Sequence, residues 1–333
     1  LLAGLALLTR PPSPVRRDQW LAAWRTCISL TATRPLSPEL AFTTGLLLAP
    51  LKGTSQLRQD GRRGLQQELL EWTDTDGTPH AELFEQLPEW LGTLVRATCW
   101  GNRFAASPWN RPTSKRFARL VDMVNPLYRH RDRLALSHRP ARGLRDLLAS
   151  AASVTGTPGQ APVSQSDWAR VAVLRSDRTS DAPAVIVTHD GPMPRLDVSC
   201  GGRSLLSDEW SLDVTSDKRS WSLEHWECVC WQSDEDADYI ELQAHDGDDR
   251  RVDRHILLSR AEELLVLADS VIAGPGMSEH ERLDCRSGLA LAEGISARPA
   301  GKGRRDWRLA GGGASARVFP LAIPDDPRLA TGP

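Results

Sequence analysis

A tyrosine followed by the run RHRDR is the densest group of side chains able to move protons or bind an anion. Tyr128 stands directly before this run, whose basic members are Arg129, His130, Arg131 and Arg133. Cations close to a phenol favour its ionised form and lower its pKa, and a guanidinium binds carboxylates through two hydrogen bonds. The same run also suits a solvated basic loop behind a helix end, where positive charge is favourable.

Charge is divided unevenly along the 333 residues. Residues 1–150 hold 21 Lys+Arg against 13 Asp+Glu, and the totals of 41 and 43 leave 20 against 30 for the remainder. This asymmetry suits either an anionic ligand on the first half or docking of one half against the other. A chain of this length predicts two domains.

Residues 1–150 predict a helical domain with short polar or proline-marked breaks. Apolar segments of helical length cover residues 16–30, 39–51 and 64–72, and RGLRDLLASAA predicts the last helix. Two further stretches carry apolar stripes at helical spacing, the second behind a Thr or Ser cap. These stripes are Leu91, Leu94, Val95, Thr98 and Cys99, and Phe117, Leu120, Val121 and Val124.

The second half predicts an antiparallel β-sandwich over residues 167–325. Residues 151–166 are small, polar and rich in Pro and Gly, which is typical of a linker. Beyond Asp167 the pattern changes to many short strands with turn signals between them, RSLLS and WSLDV among them, and this repetition favours a sandwich.

The clearest part of that sandwich is a four-strand antiparallel meander from Trp226 to Ala273. In YIELQA the residues Ile240, Leu242 and Ala244 point to one face, so that face is predicted to be buried. In WECVCW the alternation puts Trp226, Cys228 and Cys230 on one face. The Asp-Gly pair of HDGDD predicts a tight hairpin turn, because glycine adopts positive φ without steric penalty.

Several classes of site have no support in the chain. The six cysteines form no CxxC pair and no zinc-like cluster, so free buried thiols are expected. No apolar run reaches the ~20 residues of a membrane-spanning helix. Nucleotide loops, the GxSxG elbow and HExxH are absent. Asp234, Asp236 and Asp238 imitate a calcium loop, but the glycine and closing glutamate positions fail, which favours a solvated turn.

Three stretches carry a family resemblance: VAVLRSD, GGRSLLSD and RVDRHILLSRAEELLVLADSVIAG. With the helical half before them, they resemble the heparinase II/III-like polysaccharide lyases over residues 65–320. The resemblance implies an α/α toroid, partial here, followed by an antiparallel β-sandwich. It also implies β-elimination on uronic-acid-containing polysaccharide and an exported or periplasmic location. The opening LLAGLALL resembles the apolar part of a signal peptide but lacks a basic segment before it and a cleavage site after it, and the chain has no initial Met. These features predict that the N-terminus is internal to a longer protein.

The same resemblance implies two site residues in the helical half. In the family a DG turn leads into a His and a Glu, and DTDGTPHAELFEQ matches this with His80 and Glu82. Such a lyase neutralises the uronate carboxylate, removes the adjacent proton and protonates the leaving oxygen, commonly with Tyr and His. The alternative is that Asp76-Gly77 is an ordinary turn and PHAE starts a helix.

The family's HxHxD-like run before the strand LDVSC is replaced here by THDGPMPRLDVS. His189 and Asp190 stand at a different spacing, and Asp197 alone matches an acidic position. A divalent metal would need donors that this segment lacks, so no cofactor is predicted.

The sequence therefore predicts a lyase-like protein acting on acidic polysaccharide, with neither nucleic acid nor a membrane span. Catalytic candidates are His80, Glu82 and Tyr128, and carboxylate-binding candidates are Arg129, His130, Arg131 and Arg133. The alternative is a non-catalytic carbohydrate-binding or structural protein on a degenerate lyase scaffold.

Overall fold

The structure, a computed structural model, describes residues 36–321 with gaps, together with Asp18 and Ala22. The gaps are residues 50, 158–162, 178–181, 217–218, 248–249, 275–282 and 301–305. The predicted helix over residues 16–30, Cys27 and the opening LLAGLALL lie outside the described residues, apart from those two positions. Within the described part, contacts divide the chain into two units. The helical unit comprises the residues up to 125 and residues 141–157, and the sheet unit comprises residues 126–140 and the residues from 163 onward.

The helical unit contains five α-helices among the described residues, and a 3-10 turn at Ala81–Leu83 precedes the third. The helices are α1 (Pro38–Leu47), α2 (Thr54–Trp72), α3 (Leu87–Arg103), α4 (Arg111–Val124) and α5 (Leu144–Thr155). None of these helices combines the length and the apolar character needed to cross a membrane.

The two predicted apolar stripes lie on α3 and α4 and are buried, with the exception of Cys99, which is exposed. Helix α4 begins earlier than the predicted Thr or Ser cap. Its N-cap is Asn110, whose side chain accepts from the Thr113 amide while Thr113 Oγ1 accepts from the Asn110 amide. Pro112 fits this first turn because its missing N–H would have no helical partner there. The reciprocal cap fixes where α4 starts.

The last helix, α5, runs to Thr155 and ends at Gly156, which adopts φ of 69°. The left-handed conformation terminates a helix and is easily reached by glycine. The segment predicted as a linker, residues 151–166, therefore begins inside a helix, and its residues 158–162 lie outside the described part.

The sheet unit contains four antiparallel sheets among the described strands. The strands are β1 (Tyr128–Arg129), β2 (Arg133–Leu134), β3 (Ser164–Ser166), β4 (Val171–Arg175), β5 (Ala184–Thr188), β6 (Arg195–Cys200), β7 (Arg203–Ser216), β8 (Arg219–Ser220), β9 (Glu224–Ser233), β10 (Ala237–Asp246), β11 (Arg250–Ser259), β12 (Leu265–Ile272), β13 (Leu283–Leu291), β14 (Ser296–Pro299), β15 (Trp307–Gly311) and β16 (Ala314–Val318).

Two of these sheets share the main core. One is ordered β13-β7-β6-β5-β4-β3, with β8 beside β7, and the other is ordered β12-β11-β10-β9. A small sheet β14-β15-β16 adds Leu309 and Ala314 to the same core. The predicted segments RSLLS and WSLDV form one continuous strand, β7, which passes through Asp208 at φ of 128°.

The predicted meander is confirmed as β9 to β12, and Ile240, Leu242 and Ala244 are fully buried. The prediction of which β9 side chains share a face is wrong beyond Cys228. The β9–β10 register shifts there, so Trp231 packs against the core while Cys230 is exposed. A β-bulge inserts one residue and thereby reverses which side chains point inward.

The expectation of buried thiols is also wrong for the cysteines in the described part of the chain. The five described cysteines are free: Cys99, Cys230 and Cys285 are exposed, and Cys200 and Cys228 are partly buried. Three of them belong to strands β9 and β13, whose side chains are mostly exposed. An apolar sequence neighbourhood therefore did not indicate burial at these positions.

A buried arginine links the strands of both large sheets. Arg254 of β11 is fully buried between two indole rings, 3.9 Å from the ring centroid of Trp210 and 4.8 Å from that of Trp226. Its guanidinium donates to Asp269 at 2.7 Å and to the Trp210 carbonyl at 2.6 Å. Burial lowers the pKa of Arg254, and the Asp269 carboxylate opposes that effect. The charge is thus compensated by an ion pair and two aromatic faces.

We expect Arg254→Met to destabilise the sheet unit by about 3–5 kcal/mol, because Asp269 would remain buried without its cation. Urea denaturation followed by tryptophan fluorescence measures this loss. The double variant Arg254→Met/Asp269→Leu removes both charges and is expected to recover much of it.

Arg317→Met is the matched control, because Arg317 forms an ion pair with Asp306 while its side chain is 60% exposed. Loss of this pair is expected to cost less than ~1 kcal/mol. Equal effects of the Arg254 and Arg317 substitutions would contradict a central role for Arg254.

Candidate functional site

The basic run after Tyr128 forms a two-stranded hairpin of β1 and β2, in which Tyr128 pairs with Leu134 and Arg129 with Arg133. Its turn residues Arg131 and Asp132 adopt φ of 67° and 55°. These two residues follow His130 in a three-residue turn between the paired Arg129 and Arg133. An arginine in this conformation is strained, because its Cβ crowds the backbone. The strained turn places the Arg131 side chain in solvent.

Arg129 is turned into the protein and is 5% exposed. Its Nε and Nη2 donate to Asp197 Oδ1 at 2.8 and 2.6 Å, and its Nη1 donates to the carbonyls of Pro126 and Tyr128. Asp197 is 1% exposed and also accepts from Ser204 Oγ at 2.6 Å. Arg129 therefore anchors the hairpin to strand β6 through a buried ion pair.

The rest of the hairpin is attached through weaker contacts. The His130 amide donates to the Gly202 carbonyl at 3.0 Å, and Arg133 pairs with the exposed Glu293 at 2.5 Å. Tyr128 and His130 are partly buried, and Arg131 is exposed. Of the predicted anion-binding side chains, Arg131 is thus the most open to solvent, whereas Arg129 is occupied by Asp197.

The second predicted group, His80 and Glu82, lies in the helical unit. The loop before it is closed by a bridge between Thr73 and Pro79, and Gly77 adopts φ of 93°. A Cβ at Gly77 would stand 2.5 Å from the Leu120 amide nitrogen, so this position requires glycine. The DG pair is therefore a turn that packs directly against α4.

His80 caps the 3-10 turn that follows. Its Nδ1 accepts from the Glu82 amide at 3.4 Å, and its ring meets the Trp72 ring edge-on at 6.4 Å between centroids. This assignment puts the proton of the neutral ring on Nε2. Glu82 is exposed. The contact joins the imidazole to the Glu82 backbone amide, which suits a capping role.

His80 contacts the Glu82 amide, and Tyr128 lies on the same hairpin as the basic run. The first pair belongs to the helical unit and the second group to the sheet unit. Convergence of the two groups in one cleft stays a prediction.

The residues considered for a metal have other partners. His189 is 2% exposed, and its Nδ1 bonds to the Trp226 carbonyl at 2.9 Å. Burial lowers the pKa of His189, which keeps its ring neutral. Asp234 accepts from two amides of its own turn, and Asp238 is buried against Arg260. Within the described residues no three His, Cys, Asp or Glu side chains are placed to hold a metal ion.

Sequence reasoning missed one cluster, on the outer face of the β10–β11 pair. Tyr239 Oη donates to Glu241 Oε2 at 2.9 Å and lies 2.8 Å from His255 Nδ1. Tyr239 lies on β10 and His255 on β11. Period-two alternation together with the Asp-Gly hairpin could have predicted the contact. Both side chains point to the outer face, and His255 pairs with Glu241, two residues after Tyr239.

Comparison with known proteins reveals similarity at the level of fold. No protein-family model and no curated protein sequence matches the chain. A solved heparinase III is 10% identical with a TM-score of 0.56, covering 85% of this chain and 66% of that one. The heparan sulfate lyase HepC from Pedobacter heparinus is 12% identical with a TM-score of 0.53, covering 92% and 70%.

A heparinase III with methylated lysines is 12% identical with a TM-score of 0.61, covering 89% of this chain and 54% of that one. This chain thus spans between about half and 70% of the length of the solved structures it matches. The mixed architecture of helices followed by antiparallel sheets is a divergent heparinase-like fold. The resemblance inferred from the sequence is confirmed at this level.

We expect Asp197→Ala to loosen the hairpin, because the Arg129 guanidinium would remain buried without its carboxylate. The predicted loss of stability is about 3–5 kcal/mol. Limited trypsin digestion with mass spectrometry should show faster cleavage after Arg131. Glu293→Ala removes the exposed partner of Arg133 and is the control, with an expected loss below ~1 kcal/mol. Equal cleavage rates in the two variants would contradict the anchoring role of Asp197.

His189 predicts a pH dependence of stability. Its pKa in the folded protein lies below the ordinary value of 6.5, so the unfolded chain binds more protons between these two values. The contribution of the neutral ring is complete above about pH 6.5 and is lost as pH falls toward the folded pKa. Urea denaturation between about pH 5 and 8 should therefore show a weaker dependence of the unfolding free energy on pH for His189→Gln than for the original protein, and an equal dependence would contradict the role of His189.

Proposed function

We propose that this chain is part of a heparinase II/III-like polysaccharide lyase that cleaves uronic-acid-containing chains by β-elimination. In this proposal the helical unit contributes part of an α/α toroid and the two large sheets form the β-sandwich. The observation that carries the proposal is the fold similarity to three heparinase or heparan sulfate lyase structures over 85–92% of this chain.

The hairpin supports the proposal through its charge and its rigidity. Elimination requires cations that neutralise the uronate carboxylate, so that the proton next to it becomes acidic. Arg131 is assigned this contact, with His130 and Arg133 beside it, because these side chains are less buried than Arg129. Arg129 instead positions the hairpin through Asp197. A fixed hairpin loses less conformational freedom when the substrate binds.

The proton transfers are assigned to Tyr128 and His80. Tyr128 stands at the base of the hairpin, where a phenol next to a neutralised carboxylate could remove the adjacent proton or protonate the leaving oxygen. His80 would take the other transfer, and Glu82 would orient it. This division requires His80 and Tyr128 to face one cleft. The substrate, an acidic glycosaminoglycan, is the class that the names of the similar structures indicate.

A second candidate function is non-catalytic binding of carbohydrate on a degenerate lyase scaffold. One observation favours it: Asp197, which matches an acidic position of the family's HxHxD-like run, is buried and bound to Arg129 and Ser204. A carboxylate held in a structural ion pair cannot also bind or react with a substrate in a cleft. This candidate predicts that glycan binding persists without any turnover.

The two candidates are separated by measuring product formation and glycan binding in the complete protein. Unsaturated uronate products absorb in the ultraviolet, so a panel of glycosaminoglycans and alginates can be screened directly. Tyr128→Phe is expected to lower kcat by about 10²–10⁴-fold with little change in binding, because it removes a proton-transfer group. Arg131→Ala is expected to raise KM, and Arg139→Ala, an exposed arginine of the same unit, is its control.

Absence of product with every substrate, together with retained binding, would reject the lyase and support the binding protein. Absence of both would reject both candidates. Full activity of Tyr128→Phe and His80→Ala would show that elimination occurs elsewhere in the chain.

A further inference from the structure

A chain of hydrogen bonds crosses the outer face of the β9–β12 sheet and ends in a serine. Tyr239 Oη lies 2.9 Å from Glu241 Oε2 and 2.8 Å from His255 Nδ1. His255 Nε2 then lies 3.1 Å from Ser270 Oγ. These residues come from β10, β11 and β12, and Ser270 is exposed. A hydroxyl, an imidazole and two orienting groups are therefore aligned outside the site proposed above.

The proton positions along this chain follow from the donors and acceptors. An ionised Glu241 can only accept, so the phenol must donate its one proton to it. Burial and the Glu241 carboxylate raise the pKa of Tyr239 to about 12, so the phenol remains protonated at neutral pH. The phenol oxygen then accepts from His255 Nδ1–H, which leaves the lone pair of the neutral ring on Nε2. That lone pair accepts the Ser270 proton.

This order of groups has the signature of an activated nucleophile. The serine lies within hydrogen-bond distance of a base, and a third group fixes the tautomer and orientation of that base. The ring planes of Tyr239 and His255 are within 20° of parallel at 6.3 Å between centroids, which further restricts the imidazole. Paired side chains on rigid strands hold such geometry better than loops do.

We propose that Ser270 and His255 form a nucleophile–base pair that accepts acyl groups from small O-acyl esters, with Tyr239 and Glu241 as positioning residues. Glu241, Asp253 and Glu227 belong to the neighbouring strands β10, β11 and β9, and Arg251 is paired with Asp253. This acidic surrounding disfavours anionic esters, so the substrate class is neutral, such as an acetylated alcohol. The inference is independent of the lyase proposal.

The reaction is balanced without any further reactant except water. Ser270 Oγ forms a bond to the ester carbonyl carbon while its proton moves to His255 Nε2. The bond from carbon to the alcohol oxygen then breaks, and that oxygen takes the proton from His255. Water hydrolyses the acyl-serine with His255 as base, which releases the carboxylic acid and restores the hydroxyl.

The test uses p-nitrophenyl acetate turnover and labelling by a fluorophosphonate probe, with mass spectrometry to locate the modified residue. We expect labelling at Ser270 and loss of both signals in Ser270→Ala. His255→Gln is expected to reduce labelling by about 10²-fold or more, because it removes the base. Ser211→Ala is the matched control, since this exposed serine bonds to the Gly288 carbonyl and should leave both signals unchanged.

The roles of the positioning residues Tyr239 and Glu241 are tested by separate variants. Tyr239→Phe should shift the pH profile of labelling, because His255 Nδ1 loses its acceptor. Glu241→Gln retains an acceptor oxygen and should preserve more labelling than Glu241→Ala. Thermal denaturation confirms that each variant is folded. The proposal is overturned if Ser270 is not labelled, or if folded His255→Gln is labelled as fast as the original protein.

Discussion

The sheet unit depends on one buried cation. The guanidinium of Arg254 lies between the indole rings of Trp210 and Trp226 and is neutralised by Asp269, which also accepts from Ser287 Oγ. These residues come from β7, β9, β11, β12 and β13, so one charge connects strands of both large sheets. A buried charge is tolerated only with partners in good geometry, so Arg254 requires the strands that supply these partners to stay in place.

The same constraint acts a second time at the hairpin. Arg129 and Asp197 form a second deeply buried ion pair, and it attaches a hairpin with a strained turn to β6. The pair fixes the backbone that carries Tyr128 and leaves Arg131 in solvent. Arg254 thus uses a compensated internal charge to connect strands of the two large sheets, and Arg129 uses one to hold a surface hairpin. In each case the carboxylate is committed to structure, which reduces the number of acidic groups available for chemistry.

The fold was largely predictable because its signals are periodic. The Phe117 stripe of α4 and the alternation of Ile240, Leu242 and Ala244 depend on spacing alone, and both were confirmed. The candidate site was less predictable, because it depends on side-chain direction. A bulge in β9 turned Cys230 outward, and the Arg129 side chain turned inward to Asp197, 68 residues away in sequence. Neither event has a local sequence signal.

The sequence by itself determined the order of helical and sheet segments, the meander with its Asp-Gly turn, and the residue types able to transfer protons. These properties follow from local periodicity and from the conformational freedom of glycine. Only the tertiary structure decided which arginine is an anchor, which histidine is buried and neutral, and that Tyr239, His255 and Ser270 form one chain. Those outcomes depend on strand register and on the compensation of buried charge, and both are set by residues distant in sequence.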